Sequence, residues 1–377
     1  MTNNISEEKI IDKPICDLCH IISGGTPKTN ISEYWNGSIP WLSIKDFLNC
    51  NRFVSFAEKS ITKLGLDNSA TNLLENGDLI LSARGTVGEV AIISGGMAFN
   101  QSCFGLRTKN PNILNQMYLF YWIKSHKIDI QTGAHGAVFN TITRDDFKRL
   151  AISVPSIETQ QHIVNTIGSV DDLIECNNKF LAAFQCYLIN KYKEASLQID
   201  DECELSSLIK RTGKSLKQKE WFDAKVIDLS TMPNDNIFIS DYSDGSNFAT
   251  NIKTIGDKDL VYGSIRPYFK KAGFNWKSKY VAGSVYSFNV NNKYDYLWIL
   301  ACICSEDFHK YTSSNSQGTK MPIINWDSFI KYKIPYSKQN VIEFKQNIEP
   351  LFERALIKLK ENDYLRRIKA KLLIKYF

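Results

Sequence analysis

The sequence predicts an α+β chain in which two tandem, similar α/β domains are separated by two long antiparallel coiled-coil helices. Three observations predict it: an internal repeat of roughly 180 residues, two long stretches with heptad-like apolar spacing, and a proline-closed strand ahead of each. A length of 377 residues suits two domains with separate cores. In the first half Gly77-Asp78-Leu79-Ile80-Leu81-Ser82-Ala83-Arg84 is answered by Lys258-Asp259-Leu260-Val261-Tyr262-Gly263-Ser264-Ile265-Arg266 in the second. Each reads as an aspartate, a short apolar strand and an arginine in the exit loop. Tyr118-Leu119-Phe120-Tyr121-Trp122-Ile123 is answered by Tyr296-Leu297-Trp298-Ile299-Leu300-Ala301, a compact apolar helix whose aromatics belong in the core. Gly136 to Phe147 aligns without a gap on Gly318 to Phe329. Next come Leu150-Ala151-Ile152-Ser153-Val154-Pro155 and Tyr332-Lys333-Ile334-Pro335, strands closed by a residue that cannot continue the ladder. The period is too long for a solenoid, so a whole domain unit is duplicated.

A long helical stretch follows each proline. Ile163, Ile167, Val170, Ile174, Asn177, Leu181, Phe184 and Leu188 alternate spacings of four and three, the period of a coiled-coil seam. Ser156, Glu158 and Thr159 offer a capped start. A lone Asn177 on the seam would fix register at some cost in stability. The counterpart seam runs through Phe344, Ile348, Leu351, Phe352, Ala355, Leu359, Leu365, Ile368 and Leu372, with Pro350 expected to break or kink its early part. The domain assignment is therefore 1–155, a central helix over 156–200, a second domain over 201–335 and a C-terminal helix over 336–377. Two such helices packed antiparallel would hold the domains at opposite ends of a rod. Its first seam spans roughly 38 Å at about 1.5 Å per residue, close to one B-DNA turn of about 34–36 Å.

Composition narrows the class. Apolar residues at 43% and charged residues at 23% are ordinary for a soluble globular protein. Apolar runs are too short for a membrane span. The polar start, Met1 to Lys9, lacks the apolar core of a signal peptide and points to the cytoplasm. The nine cysteines then read as small buried hydrophobes. Cys16-Asp17-Leu18-Cys19-His20 has the spacing of a haem attachment or of half a zinc site. The first needs export, and Cys302-Ile303-Cys304 has the wrong spacing to supply the second ligand pair. No metal is expected. A net charge of +6 permits a nucleic-acid partner without requiring one.

Ser23-Gly24-Gly25-Thr26-Pro27-Lys28-Thr29, followed by Tyr34-Trp35 and Ile39-Pro40-Trp41-Leu42-Ser43-Ile44-Lys45-Asp46, resembles the opening of a Type I restriction–modification target-recognition domain. Arg84-Gly85-Thr86-Val87-Gly88, Asn100-Gln101-Ser102 and Pro155 through Glu158-Thr159-Gln160-Gln161 extend the likeness. Gly213-Lys214-Ser215, Trp221-Phe222, Ser264-Ile265-Arg266-Pro267-Tyr268 and Pro335 carry it more faintly through the second half. The resemblance, to the DNA-specificity subunit, covers essentially the whole chain. It implies that each domain reads one half of a bipartite double-stranded DNA target and that the helices bind two methyltransferase subunits. A restriction subunit would join that core. S-adenosylmethionine would belong to the methyltransferase, ATP and Mg²⁺ to the restriction subunit, and none of them to this chain.

Position and chemistry then select candidate contacts. Arg84 and Arg266, after corresponding strands, can take guanine bidentately, clamp a phosphate, or pair with a carboxylate. Gly85 and Gly88 let backbone approach DNA or shape a tight hairpin. Thr86 and Tyr268 lie in the same loops. Thr132-Gly133-Ala134-His135-Gly136 and Ser316-Gln317-Gly318-Thr319-Lys320 share one repeat position and suit either a groove-entering loop or a plain connector. Lys28, Thr29, Lys214 and Lys217 look like phosphate contacts. Gln101 and Ser102 can read a base edge or satisfy a turn. The basic stretch Arg354, Lys358, Lys360, Arg366, Arg367, Lys369, Lys371 and Lys375 is a solvated helix face or a phosphate track.

An amino-methyltransferase would need a glycine-rich cofactor loop and an Asn/Asp-Pro-Pro-aromatic run, but the only Asn-Pro, Asn110-Pro111, is followed by Asn112. A phosphate-binding Gly-x-x-x-x-Gly-Lys-Ser/Thr loop is missing too. The expectation is a non-catalytic subunit. The alternatives are a stand-alone DNA-binding regulator or a scaffold with duplicated recognition domains.

Overall fold

The computed structural model describes residues 11–48, 51–132, 141–217, 220–249 and 251–377. They form two compact units. One runs as far as Glu175 and takes in Leu365–Phe377; the other is Cys176–Tyr364.

The first unit begins β1 (Ile11–Pro14), α1 (Ile15–Leu18), β2 (Cys19–Ser23), β3 (Trp35–Leu42), α2 (Ile44–Phe47), β4 (Phe53–Val54), β5 (Lys59–Ile61) and α3 (Lys63–Asp67). It continues β6 (Leu73–Leu74), β7 (Leu79–Ser82), β8 (Val90–Ile93), β9 (Met97–Phe99), β10 (Cys103–Thr108), α4 (Gln116–Ser125), α5 (Lys127–Thr132) and β11 (Ala151–Val154). The central sheet has the order β2-β10-β7-β8-β4, a smaller one the order β5-β3-β9-β6, and β1 pairs with β11. Strand β7 is buried along its whole length because both faces of its sheet are covered. Leu79, Leu81, Val90 and Ile92 pack with the apolar helix α4. The alternate residues Ile80, Ala91 and Ile93 pack on Leu42 and Phe99 of the smaller sheet. Period-two alternation with two apolar neighbours is what makes this strand read as a continuous apolar run.

Helix α6 (Ile157–Ser196) follows. The second unit then runs β12 (Glu202–Glu204), β13 (Ile209–Arg211), β14 (Lys225–Ile227), β15 (Ser243–Asp244), β16 (Ile252–Thr254), β17 (Leu260–Gly263) and β18 (Ala272–Phe274). After these come β19 (Tyr280–Ala282), β20 (Val285–Val290), α7 (Tyr296–Ile303), α8 (Glu306–Ser314), α9 (Trp326–Phe329), β21 (Lys333–Pro335) and α10 (Lys338–Tyr376). Its sheets have the orders β13-β20-β17-β18, β15-β14-β19-β16 and β12-β21. This repeats the first unit with four central strands in place of five, no strand among the described residues standing where β4 does, down to one parallel pair in each smaller sheet, β3 with β9 and β14 with β19. The two-sided packing repeats as well, with Leu260 and Tyr262 against α7 and Val261 against Ile227 and Val281. Tyr121, Trp122, Tyr296 and Trp298 are core residues of these helices.

Every predicted position of the first seam, Ile163, Ile167, Val170, Ile174, Asn177, Leu181, Phe184 and Leu188, is buried. The helices pack antiparallel inside each unit. In the first, Val170 and Ile174 meet Leu365, and Lys369 reaches Asp171 at 2.7 Å. In the second, the Phe184 and Phe352 rings lie 6.1 Å apart and Tyr192 meets Phe344 at 6.5 Å. Asn177 sits on the seam as expected, donating to Asn362 Oδ1 at 3.0 Å, while Asn362 donates to Asn178 Oδ1 at 2.8 Å.

Three expectations are corrected. Helix α10 continues through Pro350 rather than breaking there, because buried Ile348, Phe352 and Ala355 anchor the turns on both sides. Ile368 is exposed, off the seam that Leu359 and Leu365 follow. Cys176 and Cys186 are exposed on α6, whereas Cys19, Cys103, Cys302 and Cys304 are buried as small hydrophobes. Burial pushes the thiol pKa of Cys19 and Cys103 up to about 12. Among the described residues no helix is long and apolar enough to cross a membrane, and no cluster of metal-ligating side chains occurs.

Candidate nucleic-acid interface

The repeated aspartates build the turns that aim the candidate loops. Asp78 is buried and accepts from the Glu75 amide at 2.8 Å and from Arg107 through Nε at 2.7 Å and Nη2 at 2.6 Å. The carboxylate contacts hold the Arg107 guanidinium pKa above its usual range. Asp259 does the same work with the Gly256 amide at 2.9 Å and the Thr212 hydroxyl at 2.7 Å. Each aspartate fixes the start of a central strand, and the strand delivers the exit loop.

At the exit, the Ala83 amide donates to Ser102 O and the Ile142 amide to Ala83 O, both at 2.8 Å. The Ser264 amide donates to Ser284 O at 3.1 Å and the Ile324 amide to Ser264 O at 3.0 Å. Single ladder pairs follow, Arg84 with Thr141 and Ile265 with Ile323. These bonds correct the predicted equivalence of the two arginines. Arg84 corresponds to Ile265, and Arg266 stands one residue further on, at the position of Gly85. Both Gly85 (φ +74°) and Arg266 (φ +51°) have left-handed backbone. Sequence similarity aligned arginine on arginine; the hydrogen-bond ladder sets the true register.

In the first unit, exposed Arg84, Gly85 and Thr86 lie beside the Gln101–Ser102 turn. Gly88 (φ +86°) closes that loop, with its amide on Ser82 O at 3.0 Å. Glycine is required at Gly24, where an added Cβ would stand 2.1 Å from Asn100 O. This close approach seats the Gly25 amide on Phe99 O at 2.9 Å and lets the Thr26 hydroxyl donate to Gln101 Oε1. Trp41 Nε1 donates to Gly25 O at 3.0 Å and Trp35 Nε1 to Lys28 O at 3.2 Å, leaving Lys28 and Thr29 exposed at the edge. The fold thus gathers Arg84, Gly85, Thr86, Gln101 and Ser102, with Lys28 and Thr29 on the adjoining segment. His135 lies outside the described residues.

In the second unit the Arg266 amide donates to Pro322 O at 2.7 Å, and Gln317 and Ile323 exchange both backbone bonds at 2.9 and 2.8 Å. Arg266, Tyr268, Gln317 and Lys320 therefore share one rim. Lys214 is placed elsewhere, at the smaller sheet, where its amide donates to Thr254 Oγ1 at 3.0 Å. The Lys217 amide caps its own turn on Glu220 Oε2 at 2.6 Å. Both lysine side chains are exposed. Phe269, Met321 and Ile323 also stand exposed at the rim and were missed, because apolar residues are read first as core. Burial lowers the Lys271 ammonium pKa, while Glu306 raises that of Lys270.

Comparison with known proteins agrees with this geometry. Residues 8–183 match the family described as the Type I restriction modification DNA specificity domain. The Type I restriction enzyme MjaIX specificity subunit of Methanocaldococcus jannaschii is 23% identical over 403 residues, covering 96% of this chain and 91% of that one. The EcoR124I/EcoR124II specificity subunit of Escherichia coli is 32% identical over 180 residues, 45% of this chain and 43% of its own length. Among solved structures, the Type I restriction–modification S subunit from M. genitalium superposes with a TM-score of 0.56 at 17% identity, covering 100% of this chain and 98% of that one. Residues 8–183 thus carry a Type I restriction modification DNA specificity domain, and over its whole length the chain, with its duplicated fold and paired long helices, is similar to Type I specificity subunits.

Proposed function

We propose that this chain is the DNA-reading subunit of a Type I restriction–modification complex, with each unit reading one half of an asymmetric bipartite target. The observation that carries the reading is one scaffold used twice with unlike loops. Corresponding strands β7 and β17 present Arg84-Gly85-Thr86 in one unit and Arg266-Pro267-Tyr268-Phe269 in the other. Equal scaffolds with unequal tips suit two different half-sites. Arg84 reads a base edge, or fixes register on a phosphate, from its exposed place beside Gln101 and Ser102. Lys28, Thr29, Lys214 and Lys217 position the duplex. The long helices dock two methyltransferase subunits, and restriction subunits complete the assembly. The chain contributes no chemistry of its own: S-adenosylmethionine, ATP and Mg²⁺ belong to the partners.

The test is co-expression with the host's methyltransferase subunit, followed by methylome sequencing and titration of the complex on its target. An asymmetric split methylated motif is expected, with affinity that falls steeply as salt rises. Arg84→Ala is expected to cost about 1–3 kcal/mol of binding, concentrated in one half-site. A soluble complex without a split motif would overturn the reading in favour of a stand-alone regulator or scaffold.

A further inference from the structure

The rim of the second unit carries an exposed apolar surface that the described residues of its counterpart, Arg84, Gly85, Thr86, Gln101 and Ser102, do not form. Tyr268 is 51% exposed, Phe269 38%, Met321 50% and Ile323 42%. The Tyr268 and Phe269 rings are tilted against each other with centroids 4.8 Å apart. The loop that bears them is a single tight turn, Pro267–Phe269, closed by Phe269 N–H to Arg266 O and Lys270 N–H to Pro267 O, both at 2.9 Å. Arg266 and Lys270, the residues flanking the turn, both adopt left-handed backbone, at φ +51° and +54°. Pro267 is buried, and Lys270 ties the turn to α8 through Glu306 at 2.6 Å. The second half of the rim, Gln317 to Ile323, is held by its own backbone bonds and by Pro322 O on the Arg266 amide.

Isolated exposed hydrophobes need no explanation, but two adjoining rings on a pinned, strained turn do. The segments 265–271 and 316–325 contain Arg266, Lys270, Lys271 and Lys320 and no acidic residue; with Lys270 paired to Glu306 of α8 and Lys271 donating to Leu229 O, Arg266 and Lys320 still give the apolar tip a net basic frame. The Arg266 Nε is buried without a hydrogen-bond partner among the described residues. A polyanion that also offers flat apolar faces fits both features, and DNA is that ligand. Rings held rigid before contact lose little entropy on binding.

We infer that Tyr268 and Phe269 form a wedge that inserts against, or between, the bases of the second unit's half-site, unstacking one base step and reading its deformability. This rests on the DNA-reading role proposed above. The turn of the first unit that corresponds to Pro267–Phe269 has Gly85 and Thr86 at its tip in place of the rings, and reads by polar contacts. Specificity in the second half-site then comes in part from how readily a step unstacks, which favours pyrimidine–purine steps.

The experiment uses the assembled complex with its methyltransferase subunits and the target duplex, with 2-aminopurine placed in turn at each step of both half-sites. Wild-type complex is expected to raise fluorescence at one step away from the methylated adenine. Tyr268→Ala with Phe269→Ala should abolish that rise and weaken binding by about tenfold to a hundredfold. Tyr268→Phe keeps the ring and should preserve both. Specific wild-type binding with no such rise, or a rise and an affinity that survive the double alanine variant, would overturn the wedge while leaving DNA reading intact. A wild-type complex that binds no duplex sequence-specifically would overturn the DNA-reading role itself.

Discussion

Arg266 keeps a left-handed backbone that an L-residue adopts at a cost of about 1 kcal/mol, where the matching position of the first unit is Gly85. A residue retained against that cost is retained for its side chain. Arg266→Gly is therefore expected to leave folding stability within about 1 kcal/mol of wild type, since relief of strain offsets the added chain freedom. The same variant should weaken DNA binding at least about tenfold, through loss of a guanidinium contact. Denaturant unfolding and target titration on one preparation separate the two effects. A stability loss above about 3 kcal/mol would make Arg266 part of the scaffold instead. The aspartate–strand–arginine pattern was legible in the sequence, and so was a one-residue offset, six residues from Asp78 to Arg84 against seven from Asp259 to Arg266. The ladder bonds at Ala83 and Ser264 place that offset after the strand rather than within it.

At the scale of elements, the seam combines apolar layers with buried polar ones. Asp171, fully buried on α6, accepts from the Tyr121 hydroxyl at 2.9 Å and pairs with Lys369 of α10 at 2.7 Å. Removing one partner of a buried pair strands the other charge. Lys369→Met should thus destabilise the first unit by about 3–5 kcal/mol, and adding Asp171→Leu should restore much of it. A double-mutant cycle in urea checks this; a neutral Lys369→Met would show that Asp171 is satisfied without the lysine. The Asn177–Asn362–Asn178 bonds form a second polar layer, the register device that the spacing implied. The apolar spacing placed the first helix correctly because burial on one face leaves a periodic signature. Pro350 misled because a local breaker was weighed without the packing that holds its neighbours.

For the whole molecule, duplication is expected, on the proposed reading, to make recognition modular. Exchanging residues of roughly 15–150 for another recognition domain is expected to change one half of the methylated motif and leave the other intact. Methylome sequencing of the hybrid reads the outcome directly, and altered preference in both halves would contradict modularity. By itself the sequence determined the duplicated α/β plan, the two seam helices and the core aromatics. Those depend on apolar periodicity and on motif order, which are local and repeated. Only the tertiary structure decided which loop residues share a rim and that Tyr268, Phe269, Met321 and Ile323 face outward. The reason is physical: a residue's hydrophobicity is written in its side chain, but its exposure is set by strand register and by segments distant in sequence.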